Sequence, residues 1–287
     1  MIYLFGVIAA FLLQTLSNKE MGRRFDPAPA GMYFYCAVGL SLVPLGMMPF
    51  GGLAIHDFRT LIVAAVFGVD FVATILLMLT TMREGPLSLT SLFIGLSVMF
   101  PVLSGLLFFG EALTAAKAIG IGCVLAVVAL TSLMGNSSGK RASGRWLSLA
   151  LLCMVSNGLL CVLQKLQTGW LGTTDNVSFT FYAFLTAALC FWALLLWQTK
   201  GKATLKPWLR PSLFVCSVGL GIGTCIGNAL VMLALAKIPS VVAFPIITGG
   251  LVAATWLASL VIYKETFTMK AIASMFVGLA GIIMLCV

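Results

Sequence analysis

Ten apolar runs, each close to the roughly 20 residues an α-helix needs to cross a hydrocarbon core, divide almost the whole chain between them. They fall at about 2–22, 31–50, 59–81, 86–109, 115–134, 146–168, 177–198, 211–235, 239–262 and 268–287. Proline, glycine and charge separate them, as at Asp26-Pro27, Pro49-Phe50-Gly51-Gly52, Gly85-Pro86, Gly110-Glu111 and Ile238-Pro239. Only 9% of the residues are charged, against about a quarter in a soluble domain. That is too few to cover a water-facing surface. The first run has no basic residue before it and no small-residue cleavage site after it, so it reads as an uncleaved first helix. The expected fold class is an all-α polytopic membrane protein with ten transmembrane helices.

The charges that remain are distributed with a bias. Lysine and arginine exceed the acidic residues by nine, and they cluster between the apolar runs: Lys19/Arg23/Arg24, Lys140/Arg141/Arg145 and Lys200/Lys202/Lys206/Arg210. Loops of one parity collect thirteen basic residues and those of the other parity four. The basic side is expected to be cytoplasmic, which places both termini outside. No basic stripe is interleaved with exposed aromatics, so nucleic acid is not an expected partner. Of the eight cysteines none forms a CxxC pair, and Cys123, Cys153, Cys190 and Cys286 sit within apolar runs as small hydrophobes. The one histidine, His56, shares a loop with Asp57 and Arg59, where solvation at the interface is the plain reading. Neither a metal centre nor a cofactor is expected.

The two halves of the chain repeat each other. Asn18-Lys19 ends span 1 and Gln164-Lys165 ends span 6, with Tyr35 following 16 residues after the first lysine and Tyr182 17 after the second. Pro86 and Pro239, Glu111 and Glu265, and Lys117 and Lys270 recur at offsets of 153, 154 and 153. These matches divide the chain into residues 1–137 and 138–287, five helices each. A five-helix unit has an odd number of crossings, so its second copy must insert upside down. Inverted repeats are the architecture of secondary transporters, whose substrate sites lie between the copies near mid-membrane.

With Gly85-Pro86 opening span 4, Pro101 within it, Gly120 and Gly122 in span 5, and Asn157-Gly158 through Gln164-Lys165 in span 6, the chain resembles the drug/metabolite transporter superfamily in its ten-helix EamA branch. The resemblance implies a central cavity lined by spans 1–4 and 6–9, with spans 5 and 10 peripheral. It also implies that both termini lie inside, opposite to the charge count. It leaves the solute open among amino acids, nucleotide sugars, bases and organic cations. One departure stands out: the second copy has Thr255 near the position of Pro101 and Pro245 a few turns earlier, so the two copies are expected to bend at different levels.

Polar side chains in lipid-length helices belong on the bundle interior. In span 6, Asn157, Gln164 and Lys165 share a face that also carries Cys161. In span 1, Gln14 and Asn18 lie one turn apart beside Thr15 and Lys19, and span 8 offers Thr224 and Asn228. The long amides need partners that lipid does not supply, and they are candidate solute ligands. For Thr90, Ser97 and Ser104 helix–helix packing is the plainer reading. Lys19 and Lys165 are candidates for the cavity or for snorkelling to the headgroups. Tyr35 and Tyr182 are candidates for a solute wall or for the interfacial belt. The stripe Gly219, Gly223 and Gly227 reads as close helix packing. Asp70, alone near the middle of span 3, is the candidate for both solute binding and proton coupling, because desolvation penalises its ionised form.

These residues point to a secondary transporter of the plasma membrane that moves a small polar metabolite, an amino acid or similar zwitterion, by alternating access coupled to protons. Its expected partners are the solute, protons and the lipid bilayer. An organic-cation exporter of the same fold is the alternative, and a non-transporting scaffold or passive channel is the rival from another class. The chain has no Walker A pattern for ATP and no nucleophile–base pair or metal cluster for an intramembrane enzyme.

Overall fold

The apolar runs become helices. The computed structural model describes residues 2–24, 29–85, 87–100, 103–104, 114–132, 144–200, 211–235, 240–264 and 269–285. Among these residues there are ten α-helices and no strand. They are α1 (Ile2–Arg24), α2 (Pro29–Met47), α3 (Phe58–Glu84), α4 (Leu87–Leu96), α5 (Ala115–Ser132), α6 (Gly144–Leu166), α7 (Asn176–Thr199), α8 (Pro211–Leu235), α9 (Ser240–Val261) and α10 (Met269–Leu285). A 3₁₀ turn, Met48–Phe50, ends α2 at Gly51 with φ 86°, and a π turn, Gln167–Leu171, extends α6 to Gly172 with φ 88°. Among the described residues, five stretches are long and apolar enough by themselves to cross a membrane: Ala30–Phe50, Phe58–Glu84, Gly144–Leu171, Asn176–Thr199 and Pro211–Val231. The chain is a multi-pass membrane protein.

The fourth run is interrupted. One span over 86–109, bent by Pro101, is expected; α4 stops at Leu96 and turns at Ser97-Val98 before helical geometry resumes at residue 99. Three i→i+3 bonds mark the break: the amides of Ser97, Val98 and Phe100 donate to the carbonyls of Ile94, Gly95 and Ser97 at 3.2, 3.3 and 3.0 Å. The cause is readable in the sequence. Residue 101 is proline, which has no N–H for the Ser97 carbonyl and whose ring crowds the preceding turn.

The helices form two compact units, each drawn from both halves of the sequence. Unit 1 is Met1–Ala73 with Leu163–Ala236, and unit 2 is Thr74–Val162 with Lys237–Val287. The division falls inside α3 and inside α6, so both helices run from one unit into the other with no linker.

In unit 1, α1 packs on α8, and α2 packs on both α7 and α8. Lipid tails are as apolar as leucine, so such contacts depend on close backbone approach and not on hydrophobic exclusion. The glycine stripe supplies that approach. A Cβ at Gly223 would stand 2.6 Å from the Ala10 carbonyl oxygen and 2.8 Å from the Gln14 nitrogen. Gly219 meets Ser17 and Gly227 meets Phe11 in the same way, while Gly221 receives the Gly39 carbonyl of α2. Packing, as expected, is what the stripe does. Phe67 and Phe71 of α3 meet Phe179 and Phe184 of α7 edge-on, with centroids 4.9–6.1 Å apart, a favourable arrangement of ring quadrupoles.

In unit 2, α4 packs on α9 and α10, and α5 packs on α10. Leu92, Phe93, Leu96, Trp146, Val252, Met275 and Ile282 form its core. Trp146 of α6 is wholly buried, edge-on to Phe93 at 5.8 Å and seated where Gly85 has no side chain. Arg145 and Glu84 pair beside it at 3.3 Å. The thiol of Cys153 points to the Thr74 carbonyl at 4.0 Å, in keeping with cysteine as a packing residue.

Candidate functional site

Nine of the ten candidate residues lie in unit 1. Tyr35 on α2 donates its hydroxyl hydrogen to Asn18 Oδ1 on α1 at 2.8 Å, and both residues are wholly buried. Lys19, one residue on, is 7% exposed. It is buried within the protein and does not snorkel from the end of α1. Gln14 is half-buried where α1 meets Gly223. Elsewhere in the unit, Gln164 Nε2 donates to Asn228 Oδ1 at 3.5 Å, while Asn228 Nδ2 donates to the Thr224 carbonyl at 2.8 Å. Lys165 beside Gln164 is half-buried. Asp70 sits midway along the 27-residue α3 and is half-buried; its helix neighbours Phe67 and Phe71 stack on each other with centroids 6.1 Å apart.

The two amides at the ends of α1 and α6 are thus each engaged by a polar residue of another helix. The pairs differ in strength. The Tyr35–Asn18 bond has ordinary length, whereas 3.5 Å is beyond the usual range and is a contact that a better donor or acceptor displaces at little cost.

Asn157, the tenth candidate, lies in unit 2. Its Nδ2 donates to Ser97 Oγ at 2.6 Å and to the Ile94 carbonyl at 3.4 Å, at the break in α4. Next to it, Ser156 shares a 2.6 Å hydrogen bond with Thr74 of α3. Ser97 thus joins two helices, in keeping with the helix–helix packing expected of it. Ser104 is buried.

A loop clasp went unread in the sequence. The α2–α3 loop lies along one face of α7, held by Asp175, Ser178 and Tyr182. The Asp175 carboxylate accepts from the backbone N–H of His56 at 3.1 Å and of Asp57 at 3.0 Å, and pairs with His56 Nδ1 at 2.6 Å. Ser178 donates to the Ala54 carbonyl and Tyr182 to that of Leu53 at 3.2 Å. Burial of Asp175 works to raise its pKa. The hydrogen bonds from the His56 ring and from the two backbone amides outweigh that and hold the carboxyl below its ordinary 3.8. His56 is thus not merely solvated, and the Tyr182 hydroxyl is engaged with a loop. The signal for this clasp was slight: an aspartate just before a helix and a lone histidine 119 residues away.

Comparison with known proteins bears on the fold and on the family. A crystal structure of a protein shares the fold with a TM-score of 0.65 at 14% identity, covering 99% of this chain and 94% of its own. No curated protein matches the sequence. Residues 144–287 match the EamA-like transporter family, and the chain belongs to that family of membrane transporters.

Proposed function

We propose that this protein is a secondary active transporter of the plasma membrane that moves a small zwitterion such as an amino acid by alternating access. The observation that carries the reading is the set of polar side chains within the lipid-length helices of unit 1: Asn18 with Tyr35, Gln164 with Asn228, and Gln14, Lys19, Lys165 and Asp70 on the same helices. An ammonium and a carboxylate are what a zwitterion requires of its site, and buried amides impose orientation. Asp70 is the coupling group. A mid-membrane carboxylate has its charged form penalised by desolvation, so it takes a proton from one side and releases it to the other. Solute and proton then exchange at one group by mutual exclusion.

Two inverted repeats, 1–137 and 138–287, are supported by the way the helices pair: α2 with α7, α4 with α9 and α5 with α10, each helix with its counterpart five further on. The charge count supports termini on the outside. A second reading, an organic cation, draws on the Asp70 carboxylate and the aromatic residues Phe67 and Phe71 near it on α3, groups that suit an ammonium. Competition of unlabelled amino acids and quaternary ammonium compounds for uptake into proteoliposomes separates the two. Inhibition by ammonium compounds alone would reverse the preference.

A further inference from the structure

Asn157 is grouped with the candidate solute ligands by its helix face, but its hydrogen bonds give it other work. An asparagine side chain has two N–H donors and one carbonyl acceptor. Both donors point at α4, one to Ser97 Oγ and one to the Ile94 carbonyl. Ser97 is 1% exposed, so its hydroxyl has no solvent to turn to. Immediately after the break, Phe100 lies against Gly158, where any Cβ would collide with its ring. Residues 157 and 158 of α6 therefore grip α4 before and after the turn at Ser97-Val98. On the other side of α4, Gly95 leaves room for Val252 of α9, which a Cβ would meet at 2.7 Å.

We propose that Asn157 is a positioning residue that pins α4 in its broken form and so sets the rate at which the transporter changes state, and that it is not a solute ligand. A proline removes a backbone bond but does not say where the freed groups go. The Phe100 N–H takes up the Ser97 carbonyl within the turn, and α6 fixes where the interruption sits, with the Asn157 amide on Ser97 Oγ and the Ile94 carbonyl and with the Gly158 cradle for Phe100. Straightening α4 breaks the Asn157–Ser97 bond, and any movement of α6 against α4 strains it. The consequence for transport rate rests on the transport reading above, whereas the pin itself does not.

Hydrogen exchange of the full chain in lipid nanodiscs, with no solute added, tests the pin. Asn157→Leu keeps the shape and removes both donors, and Ser97→Ala removes the acceptor from the other side. Each is expected to raise exchange of the segment 92–100 at least tenfold while 176–190 in α7 stays at the wild-type rate, and the double variant is expected to exceed neither single one. Ser97→Ala carries the test if Asn157→Leu does not fold. Wild-type exchange over 92–100 in the folded variants, or effects that multiply in the double variant, would overturn the pin. In proteoliposomes supplied with a labelled amino-acid mixture, Ser97→Ala and Asn157→Leu are expected to change the maximal rate with half-saturation within twofold. A tenfold rise in half-saturation with unchanged exchange would make Asn157 a solute ligand and overturn the proposal.

Discussion

Unit 1 holds nine of the ten polar side chains expected along a solute path, and unit 2 holds Asn157 together with the interrupted α4. The helices of the two units are nevertheless drawn from matching places in the two halves of the chain. Within unit 2 the contrast sharpens between α4 and α9, which pack on each other. Helix α4 stops at Leu96, whereas α9 runs unbroken for 22 residues. Thr255, near the sequence position that matches Pro101, lies within α9, and its hydroxyl donates back into its own helix to the Leu251 and Val252 carbonyls at 2.9 Å. The two helices thus pair although one is interrupted and the other, which carries Pro245, is not. The difference teaches that most of the candidate solute ligands and the interrupted helix fall in different units.

The largest effect is expected at Asp70. Asp70→Asn keeps size and hydrogen bonding but cannot titrate, so gradient-driven accumulation in proteoliposomes is expected to fall at least tenfold with the protein still folded. Wild-type accumulation by that variant would take the coupling group out of unit 1. Next, Thr255→Pro would impose on α9 the interruption α4 already has. Because α9 is continuous there, the cost is expected to be about 3 kcal/mol by unfolding in detergent micelles. A cost below about 1 kcal/mol would mean that α9 accepts the break as readily as α4, erasing the contrast.

Gly223→Ala probes unit 1 through its packing. Even a methyl group meets the α1 backbone at Ala10 and Gln14, so a loss of about 1–3 kcal/mol is expected by the same assay. The smallest effect concerns the loop clasp. Its carboxyl titrates below the ordinary 3.8, so Asp175 stabilises the folded state above the unfolded-state value and loses that contribution only as pH falls through the lowered one. Amide exchange at His56 and Asp57 is therefore expected to show no loss of protection from Asp175 titration between about pH 5 and 8, and Asp175→Asn to speed it a few-fold. Loss of protection in wild-type protein near pH 5 that Asp175→Asn abolishes would contradict that assignment.

Much of the architecture was legible because lipid imposes a simple rule: apolar stretches of fixed length become helices. The break in α4 was only half legible. Pro101 announced a bend, but the residue that hydrogen-bonds Ser97 Oγ and the Ile94 carbonyl at the break, Asn157, lies on a different helix and reads on its own as a solute ligand. The amide pairs were legible as faces but not as partners, since Asn18 finds Tyr35 and Gln164 finds Asn228 only once helices pack. Least legible was the clasp. His56 and Asp175 carry no periodic signal, and their meeting depends on where two loops end.

Concentration of a small zwitterion at the expense of a proton gradient is the activity proposed for this chain. Purified protein in sealed liposomes, given labelled amino acids with and without a pH gradient across the membrane, tests it directly. At least one amino acid is expected to rise above its external concentration only when the gradient is present, and a protonophore to collapse it to equality. Entry that stops at equal concentrations whatever the gradient, or that never exceeds protein-free liposomes, would contradict it.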